Sequence, residues 1–243
     1  MSYPTYLNPN DPLPLPRFFE QDPKLPDGLI AISDSMNPKR LIEAYQKGIF
    51  PWPSEDHPIL WWFTSPRMTL RPEDMIIQRS LKKKIQKVLV NPDWEIKIDH
   101  SFETVIHSCA NSPRQGQDGT WITPEIQKNY IALHHQGIAH SIETWYQDEL
   151  VGGLYGINLG RMFYGESMFM KTADASKIAL AALCAKAIQS RIALIDCQQE
   201  TSHLKSLGAK LMDKSSFLDA IEQLVTEPSP NWCFNKEVLA YWL

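Results

Sequence analysis

The sequence predicts a protein of mixed helices and strands, α/β in the broad sense (α+β), in which helices flank a mixed sheet. Apolar and polar residues alternate from Trp94 to Ile98, a pattern typical of a half-buried strand. Residues 140–146 and 150–155 predict two strands joined by a polar turn. A long helix rich in Ala and Leu, at about 175–189, precedes a buried strand at Ile192–Ile195. This alternation indicates one sheet covered by helices.

Residues 1–66 predict a small N-terminal domain that begins with a proline-rich arm. Seven prolines before residue 28 remove backbone donors and restrict φ, so we expect no regular structure there. A helix follows, because Asn37 suits the N-cap, Pro38 the first turn and Gly48 the C-terminal stop. An apolar strand is predicted at Ile59–Phe63, and the domain is predicted to end near Pro66.

Residues 67–243 predict the larger domain. In this domain Thr123 caps a helix that Pro124 opens and Gly137 ends. Residues 162–164 predict a further strand, and shorter helices are predicted near 202–207 and at about 215–224. We see no internal repeat and no low-complexity segment.

Composition excludes several classes of protein. The 243 residues carry a net charge of −4, so any contact with nucleic acid requires a local basic patch. The four cysteines are scattered, which predicts reduced thiols in a cytoplasmic protein and no zinc site or disulfide scaffold. The polar, proline-rich N-terminus predicts no secretory signal, and no apolar run approaches the roughly 20 residues of a membrane span.

Seven short motifs stand in order along the chain. Three of them place an unusual residue beside an apolar surface: a tryptophan in GIFPW, a carboxylate in GESMF, and an acid and an amide in LIDCQ. Such residues are typical of a site that holds an apolar group and carries out acyl chemistry next to it. The motifs are GIFPW (48–52), GTWIT (119–123), HSIETW (140–145), ELVGGLYG (149–156), GESMF (165–169), DASK (174–177) and LIDCQ (194–198).

Together these motifs resemble those of the bacterial leucyl/phenylalanyl-tRNA–protein transferases, collinearly from about Leu29 to Gly208. The resemblance implies an aminoacyltransferase that needs no cofactor and no metal. Its larger domain would have a GNAT-like fold. Its partners would be leucyl- or phenylalanyl-tRNA, with methionine accepted less well, and proteins or peptides that begin with Arg or Lys. The addition would mark those proteins for degradation by the N-end rule pathway in the cytoplasm.

The catalytic acid and amide of this family correspond to Asp196 and Gln198. Their spacing of two residues predicts that both side chains leave the same face of a strand. The hypothesis is that Asp196 polarises and orients Gln198, which accepts a hydrogen bond from the attacking α-amine. An aminoacyl ester is already activated, so positioning can supply much of the rate. The alternative is a strand-end acid that caps the next helix.

By the same resemblance Glu166 is the third predicted catalytic residue; it stands between Gly165 and Ser167, with Tyr164 and Phe169 nearby. A carboxylate is the natural partner of an acceptor that begins with Arg or Lys. Whether Glu166 contacts the α-amine or the basic side chain stays open. An ion pair with a nearby lysine is the structural alternative.

By the same resemblance the donor's side chain would bind in an apolar pocket, although each pocket residue alone could equally be core. Methionine suits a pocket that accepts both Phe and Leu, because its side chain is flexible and polarisable. Two tryptophans in turn-like contexts, Trp52 and Trp121, are predicted to stack on the terminal adenosine. The predicted pocket residues are Leu154, Met168, Leu180 and Ile195.

A basic cluster in one predicted helix is the expected contact for the tRNA body. A solvated face is the usual explanation of such a run, but the acidic net charge makes this cluster distinctive. Contacts of this kind would reach phosphates and would be largely independent of base sequence. The cluster comprises Arg79, Lys82, Lys83, Lys84 and Lys87.

Two alternatives remain open at this point. A GNAT-type N-acetyltransferase would need a glycine-rich turn that holds the pyrophosphate of acetyl-CoA at a helix N-terminus, and residues 115–120 (QGQDGT) are a poor match. A tRNA-binding module without catalysis would explain the basic helix and the tryptophans. It would not need Glu166, Asp196 and Gln198 together.

Overall fold

The computed structural model describes residues 4–18, 20, 22–53, 58–112 and 120–243. Gly119, the first residue of the GTWIT motif, and residues 115–119 of the QGQDGT segment lie outside these ranges. The strands are β1 (Thr5–Leu7), β2 (Leu29–Ser33), β3 (Phe50–Pro51), β4 (Ile59–Trp62), β5 (Arg67–Leu70), β6 (Trp94–Ile98), β7 (Ala139–Tyr146), β8 (Glu149–Leu159), β9 (Met162–Met170), β10 (Leu194–Gln198) and β11 (Lys210–Met212). The helices are α1 (Pro38–Gln46), α2 (Arg79–Val90), α3 (Phe102–Ala110), α4 (Pro124–His135), α5 (Ala175–Ser190), α6 (Ser202–Ser206) and α7 (Lys214–Leu224), with 3₁₀ helices at Pro16–Phe18, Pro72–Asp74 and Lys236–Trp242.

These strands form two sheets, so the predicted mixed sheet flanked by helices is confirmed. The smaller sheet has the order β1-β2-β4-β3, in which β1 and β2 are parallel. The larger sheet has the order β11-β5-β10-β9-β8-β7-β6. Its strands are antiparallel except for the parallel pair of β9 and β10. The predicted hairpin of β7 and β8 turns at Gln147 and Asp148, both of which have positive φ.

Local signals set the ends of several helices. The Asn37 side chain accepts a hydrogen bond from the Arg40 N–H at 2.9 Å at the start of α1. The Thr123 hydroxyl caps α4 in the same way, and Gly137 adopts φ +69° just after this helix. Both predicted helices are therefore confirmed, because capping and positive φ depend on neighbouring residues alone.

The expectation of an irregular arm up to residue 28 is wrong in two places. Residues 5–7 pair with β2 as a parallel strand, and a 3₁₀ helix forms at Pro16–Phe18. Thr5, Tyr6 and Leu7 contain no proline, so their backbone donors are available for the sheet. Leu7 is buried there.

The larger sheet separates two apolar clusters. Helices α2 and α5 pack on one face, and α3, α4 and α7 pack on the other together with the smaller sheet and α1. The apolar cluster on the side of the smaller sheet contains residues of both sheets. The domain division near Pro66 therefore stays a prediction. Gly152 lets α5 approach β8, because a Cβ at this position would lie 2.5 Å from that of Ala175.

The divergence of β9 and β10 positions the site. They pair only between Met162–Tyr164 and Leu194–Asp196. Strand β9 then continues to Met170, while β10 ends at Gln198. The space that opens between them is lined by side chains of both strands and of α5 and α6.

Candidate active site

Two β-bulges lie where β9 and β10 diverge. In β9 the bulged residue is Glu166, since Tyr155 pairs with Ser167 and Gly156 pairs with Gly165. In β10 the extra residue is Cys197, which lies between the paired Asp196 and Gln198. A bulge interrupts side-chain alternation and redirects the side chains next to it. The two bulges therefore redirect the side chains of Glu166 and Gln198, both of which the sequence analysis selected.

The Glu166 carboxylate lies among three donors from different elements. Its Oε1 accepts hydrogen bonds from the Tyr45 hydroxyl at 2.7 Å and from Gln198 Nε2 at 3.1 Å. Its Oε2 accepts one from the Tyr130 hydroxyl at 3.1 Å. The two tyrosine hydroxyls also lie within hydrogen-bonding reach of each other, and because each carries one proton, that proton points either to Glu166 or to the other hydroxyl. The predicted alternative for Glu166, an ion pair with a lysine, is not found among the described residues.

Burial raises the pKa of Glu166 to about 7. The hydrogen bonds from Tyr45 and Tyr130 oppose this shift, since they stabilise the charged carboxylate. The negative charge of Asp196 adds a smaller upward effect, and Arg67 a smaller downward one. A carboxyl group with a pKa near neutrality can both accept and release a proton under ordinary conditions.

Asp196 is fully buried and forms an ion pair with Arg67. Arg67 Nε lies 2.8 Å from Oδ1 and Nη2 lies 2.9 Å from Oδ2, which is bidentate geometry. The guanidinium also packs 4.7 Å from the centre of the Phe217 ring and 4.9 Å from that of Phe50. Its Nη2 donates to the Gly48 carbonyl at 2.7 Å, which ties the GIFPW motif to the pair.

The expectation that Asp196 and Gln198 leave the same strand face is wrong. The bulge at Cys197 and the positive φ of Gln198, +61°, turn the two side chains apart. Besides Arg67, Asp196 Oδ1 accepts from the backbone N–H of Gln198 at 2.8 Å, and no hydrogen bond to the Gln198 carboxamide is found among the described residues. Asp196 thus contacts the backbone that carries Gln198 rather than its carboxamide, which suits a positioning role. Its part in catalysis stays a prediction.

The four predicted pocket residues lie around one apolar cavity of about 220 Å³. An apolar cavity of about 150 Å³ can hold benzene, so this one has room for a phenyl or isobutyl group. The sequence analysis missed several other lining residues, because they read as ordinary core. These are chiefly Leu70, Phe163, Leu183 and Leu204.

A second cavity of about 200 Å³ adjoins the first and contains both predicted tryptophans. Trp52 and Trp121 are half-buried, and Phe50, Pro51 and Gln198 also line this space. The two cavities share lining residues, which are Glu166, Cys197, Thr201 and Leu204. Glu166 is therefore a carboxylate that faces both the apolar and the aromatic cavity.

Three residues of the site escaped the sequence analysis, namely Tyr45, Tyr130 and Arg67. The tyrosines fall on the apolar faces of α1 and α4, where an aromatic residue reads as core. Arg67 offered a signal, because an arginine at the start of the apolar run RMTL requires a buried acid. It lies next to the predicted domain boundary at Pro66, where no strand was expected.

The predicted basic helix is α2, and its cations are not equivalent. Lys82 Nζ donates to the Leu243 carbonyl at 2.9 Å, and Lys84 donates to the Ala173 carbonyl. Arg79, Lys83 and Lys87 are exposed, and their spacing of four places them on one face of the helix.

The described ranges contain no group of three or more His, Cys, Asp or Glu side chains that could hold a metal ion. The expectation of no metal and no cofactor stays a prediction. No helix in the part of the chain described is long and apolar enough to cross a membrane.

An apolar cavity beside a carboxyl group with a pKa near neutrality, on an α/β fold, matches the acyltransferase site that the sequence analysis predicted. Comparison with known proteins narrows this class. Residues 69–222 match the family model described as leucyl/phenylalanyl-tRNA protein transferase, and residues 34–65 match that of its N-terminal domain. The chain belongs to the leucyl/phenylalanyl-tRNA–protein transferase family, and it is an aminoacyltransferase.

Relatives of that name match nearly the whole chain. The one from Cupriavidus taiwanensis is 50% identical over 239 residues, which is 98% of this chain and 95% of the relative. The one from Cupriavidus pinatubonensis is 51% identical over the same shares. The Burkholderia cenocepacia relative is 49% identical over 236 residues, 97% of this chain and 92% of the relative.

Solved structures with some likeness include a GCN5-related N-acetyltransferase-like protein from Streptococcus suis, with a TM-score of 0.32 and 14% identity. The match covers 75% of this chain and 68% of that one. A GCN5-related N-acetyltransferase from Kribbella flavida has a TM-score of 0.32 and 9% identity, over 75% and 64% of the two chains. At these scores neither structure supports an argument about this chain.

Proposed function

We propose that this protein transfers leucine or phenylalanine, and less well methionine, from aminoacyl-tRNA to the N-terminal α-amine of proteins that begin with Arg or Lys. The reaction forms a peptide bond and releases the tRNA. The product is marked for degradation by the N-end rule pathway in the cytoplasm. The observation that carries this proposal is the carboxylate of Glu166, which faces both adjoining cavities.

The apolar cavity would hold the side chain of the esterified amino acid. Its lining is aliphatic, aromatic and thioether in character, which suits Leu, Phe and Met and disfavours charged side chains. A cavity of this kind separates neighbouring aliphatic groups by only about 1–3 kcal/mol per methylene, so lower but measurable transfer of methionine is expected. Met168 supports the double preference for Leu and Phe, because it can adapt its shape.

The aromatic cavity would hold the adenosine to which the amino acid is esterified. Stacking of a base on an aromatic side chain stabilises binding by roughly 1–3 kcal/mol. Trp52 and Trp121 both line this cavity, which adjoins the apolar one. The ester would then lie near the shared lining residues, with the amino-acid side chain on one side and the base on the other.

The acceptor amine would approach Gln198 and Glu166. Gln198 donates through Nε2 to Glu166, so its carboxamide oxygen can accept from the amine. Glu166 supplies the negative charge that an acceptor beginning with Arg or Lys requires. The exposed cations of α2, Arg79, Lys83 and Lys87, would contact phosphates of the tRNA body.

A mass-spectrometric assay tests this function. Purified protein is mixed with leucyl-tRNA or phenylalanyl-tRNA and a peptide that begins with Arg. We expect the peptide to gain the mass of one leucine or phenylalanine residue. A peptide of the same sequence with an acetylated N-terminus is the matched control and should gain nothing.

The same assay separates the alternatives. A mass gain with acetyl-CoA and none with aminoacyl-tRNA would identify an N-acetyltransferase instead. Transfer to peptides that begin with Arg, Glu and Leu at equal rates would contradict the proposed preference for basic acceptors.

A further inference from the structure

We propose that Glu166 is the group that removes a proton from the acceptor's ammonium before it attacks the ester, and that Tyr45 and Tyr130 are the positioning residues that hold its carboxylate for this step. The inference rests on the proposed function. It goes further, because it assigns the proton acceptor to a residue other than Gln198 and gives two tyrosines a task.

A carboxamide cannot take this proton, because an amide is far too weak a base and its oxygen only accepts a hydrogen bond. Asp196 cannot reach it either, since it is completely buried and both of its oxygens accept from Arg67. Asp196 lines neither cavity. Burial raises the pKa of the Cys197 thiol, which keeps it protonated and unreactive.

Glu166 has the geometry that the step needs. It lines both cavities, and Gln198 Nε2 lies 3.1 Å from its Oε1. A carboxylate offers about four acceptor positions. Tyr45, Tyr130 and Gln198 fill three of them, two on Oε1 and one on Oε2. The remaining position on Oε2 can accept an N–H of the incoming ammonium.

The pKa of Glu166 also suits the transfer of a proton from the acceptor's α-amine. The charged and titratable groups that act on Glu166 are Tyr45 of α1, Tyr130 of α4, Asp196 of β10 and Arg67 of β5. Burial, helped by the charge of Asp196, outweighs the lowering effect of the two tyrosines and Arg67, and the pKa of Glu166 is raised to about 7. A peptide α-amine has a pKa of about 7.7–8.0, so the proton passes between groups of nearly equal affinity. The tyrosines remain neutral donors, because burial raises the pKa of both well above the usual value.

The reaction then balances. The ammonium gives one proton to Glu166, and the neutral nitrogen attacks the ester carbon. The carbon–nitrogen bond forms as the bond from that carbon to the ribose oxygen breaks. The second proton, lost by the attacking nitrogen, ends on the ribose oxygen, and Glu166 releases its own proton to water. The products are an amide, a tRNA hydroxyl and one solvent proton.

The experiment is a pH–rate profile of single-turnover transfer of phenylalanine to a peptide that begins with Arg, over about pH 6 to 9. In Glu166→Gln we expect kcat/KM for the peptide to fall by about 100-fold or more near pH 7. The loss should shrink steadily above the pKa of the amine, because solvent then supplies the neutral nucleophile. Glu149→Gln, an exposed glutamate outside both cavities, should keep the wild-type profile.

Tyr45→Phe and Tyr130→Phe test the proposed positioning role of the two tyrosines. They also provide a second test of the inference if Glu166→Gln folds poorly. Each removes a donor that stabilises the carboxylate, so the pKa of Glu166 should rise. The acid limb of the profile should therefore move to higher pH, with the rate at the alkaline end preserved. If the tyrosines had a purely structural role, their loss would lower the rate at every pH, and the acid limb of the pH–rate profile would stay at the same pH.

Two results would overturn the inference. A deficit of Glu166→Gln that is the same at every pH would mean that Glu166 only binds the acceptor. A pH-dependent deficit found in His203→Gln and absent from Glu166→Gln would assign the proton to that exposed histidine at the apolar cavity. Failure of the proposed function would differ from both, since wild-type protein would then form no product at any pH.

Discussion

Arg67 and Asp196 form a bidentate ion pair in which both side chains are almost completely buried, at 1% and 0% exposure. The pair joins β5 to β10 and, through the Gly48 carbonyl, to the loop that leads to Trp52. Asp196 also accepts from the N–H of Gln198, whose positive φ this hydrogen bond helps to maintain. Asp196 thus supports the site from beneath the cavities.

This relationship predicts a stability phenotype for Asp196→Ala. Loss of the carboxylate leaves the Arg67 guanidinium charged and uncompensated in the interior, which typically costs about 3–5 kcal/mol. Urea denaturation should reveal this loss. The double variant Arg67→Met, Asp196→Leu should recover much of the stability, since it removes both charges and keeps an apolar volume. Asp196→Ala protein with wild-type stability and lost turnover would contradict the positioning role.

Gln198→Ala should lower turnover and leave tRNA affinity at the wild-type level. The carboxamide is half-buried at the cavity, where we propose that it orients the amine, and misplacement of a reacting group can cost about 100-fold in rate. Single-turnover transfer and filter binding measure the two effects separately. Gln223→Ala, an exposed glutamine on α7, is the matched control and should change neither. Equal losses of turnover and affinity would remove the assignment of Gln198 to catalysis.

Leu180→Phe should reduce the transfer of phenylalanine more than that of leucine. The added ring occupies part of a cavity of about 220 Å³, and the larger donor loses more of its space. A discrimination of about 1–3 kcal/mol, or roughly 10-fold or more, is the usual scale. Competition between the two aminoacyl-tRNAs measures the ratio directly. Leu211→Phe, on the exposed strand β11, should keep the wild-type ratio, and an unchanged ratio in Leu180→Phe would exclude this cavity as the donor pocket.

The exposed face of α2 should account for the salt dependence of tRNA binding. Alanine at Arg79, Lys83 or Lys87 should each reduce the slope of log K against log salt by about 1, because one phosphate contact is lost. Alanine at Lys82 or Lys84 should reduce it less, since these amines already contact backbone carbonyls. Lys39→Ala, exposed on α1, is the control. Equal slopes in all variants would place the tRNA elsewhere.

The helices and most strands of this fold could be predicted because their signals are local. Asn37 and Pro38 start α1, Thr123 and Pro124 start α4, and glycines of positive φ follow both. The strand at residues 5–7 could not be predicted in this way. Its pairing with β2 depends on residues more than 20 positions away.

The sequence also identified residues that the structure gathers around the two cavities. The four pocket residues and both tryptophans line them, with Glu166 at their junction. The orientation of Asp196 and Gln198 was predicted wrongly, because a regular strand was assumed. A bulge is defined by how many residues the partner strand provides, and Thr69 and Met68 of β5 decide this for β10.

By itself, the sequence determined the class of fold, the family and the residue types that a site for an apolar aminoacyl group needs. Only the tertiary structure decided which groups touch. Arg67 reaches Asp196 across 129 residues, and Tyr45 reaches Glu166 across 121. Periodicity and capping act over a few residues, whereas the charge state of a buried carboxyl depends on every group that the fold packs against it.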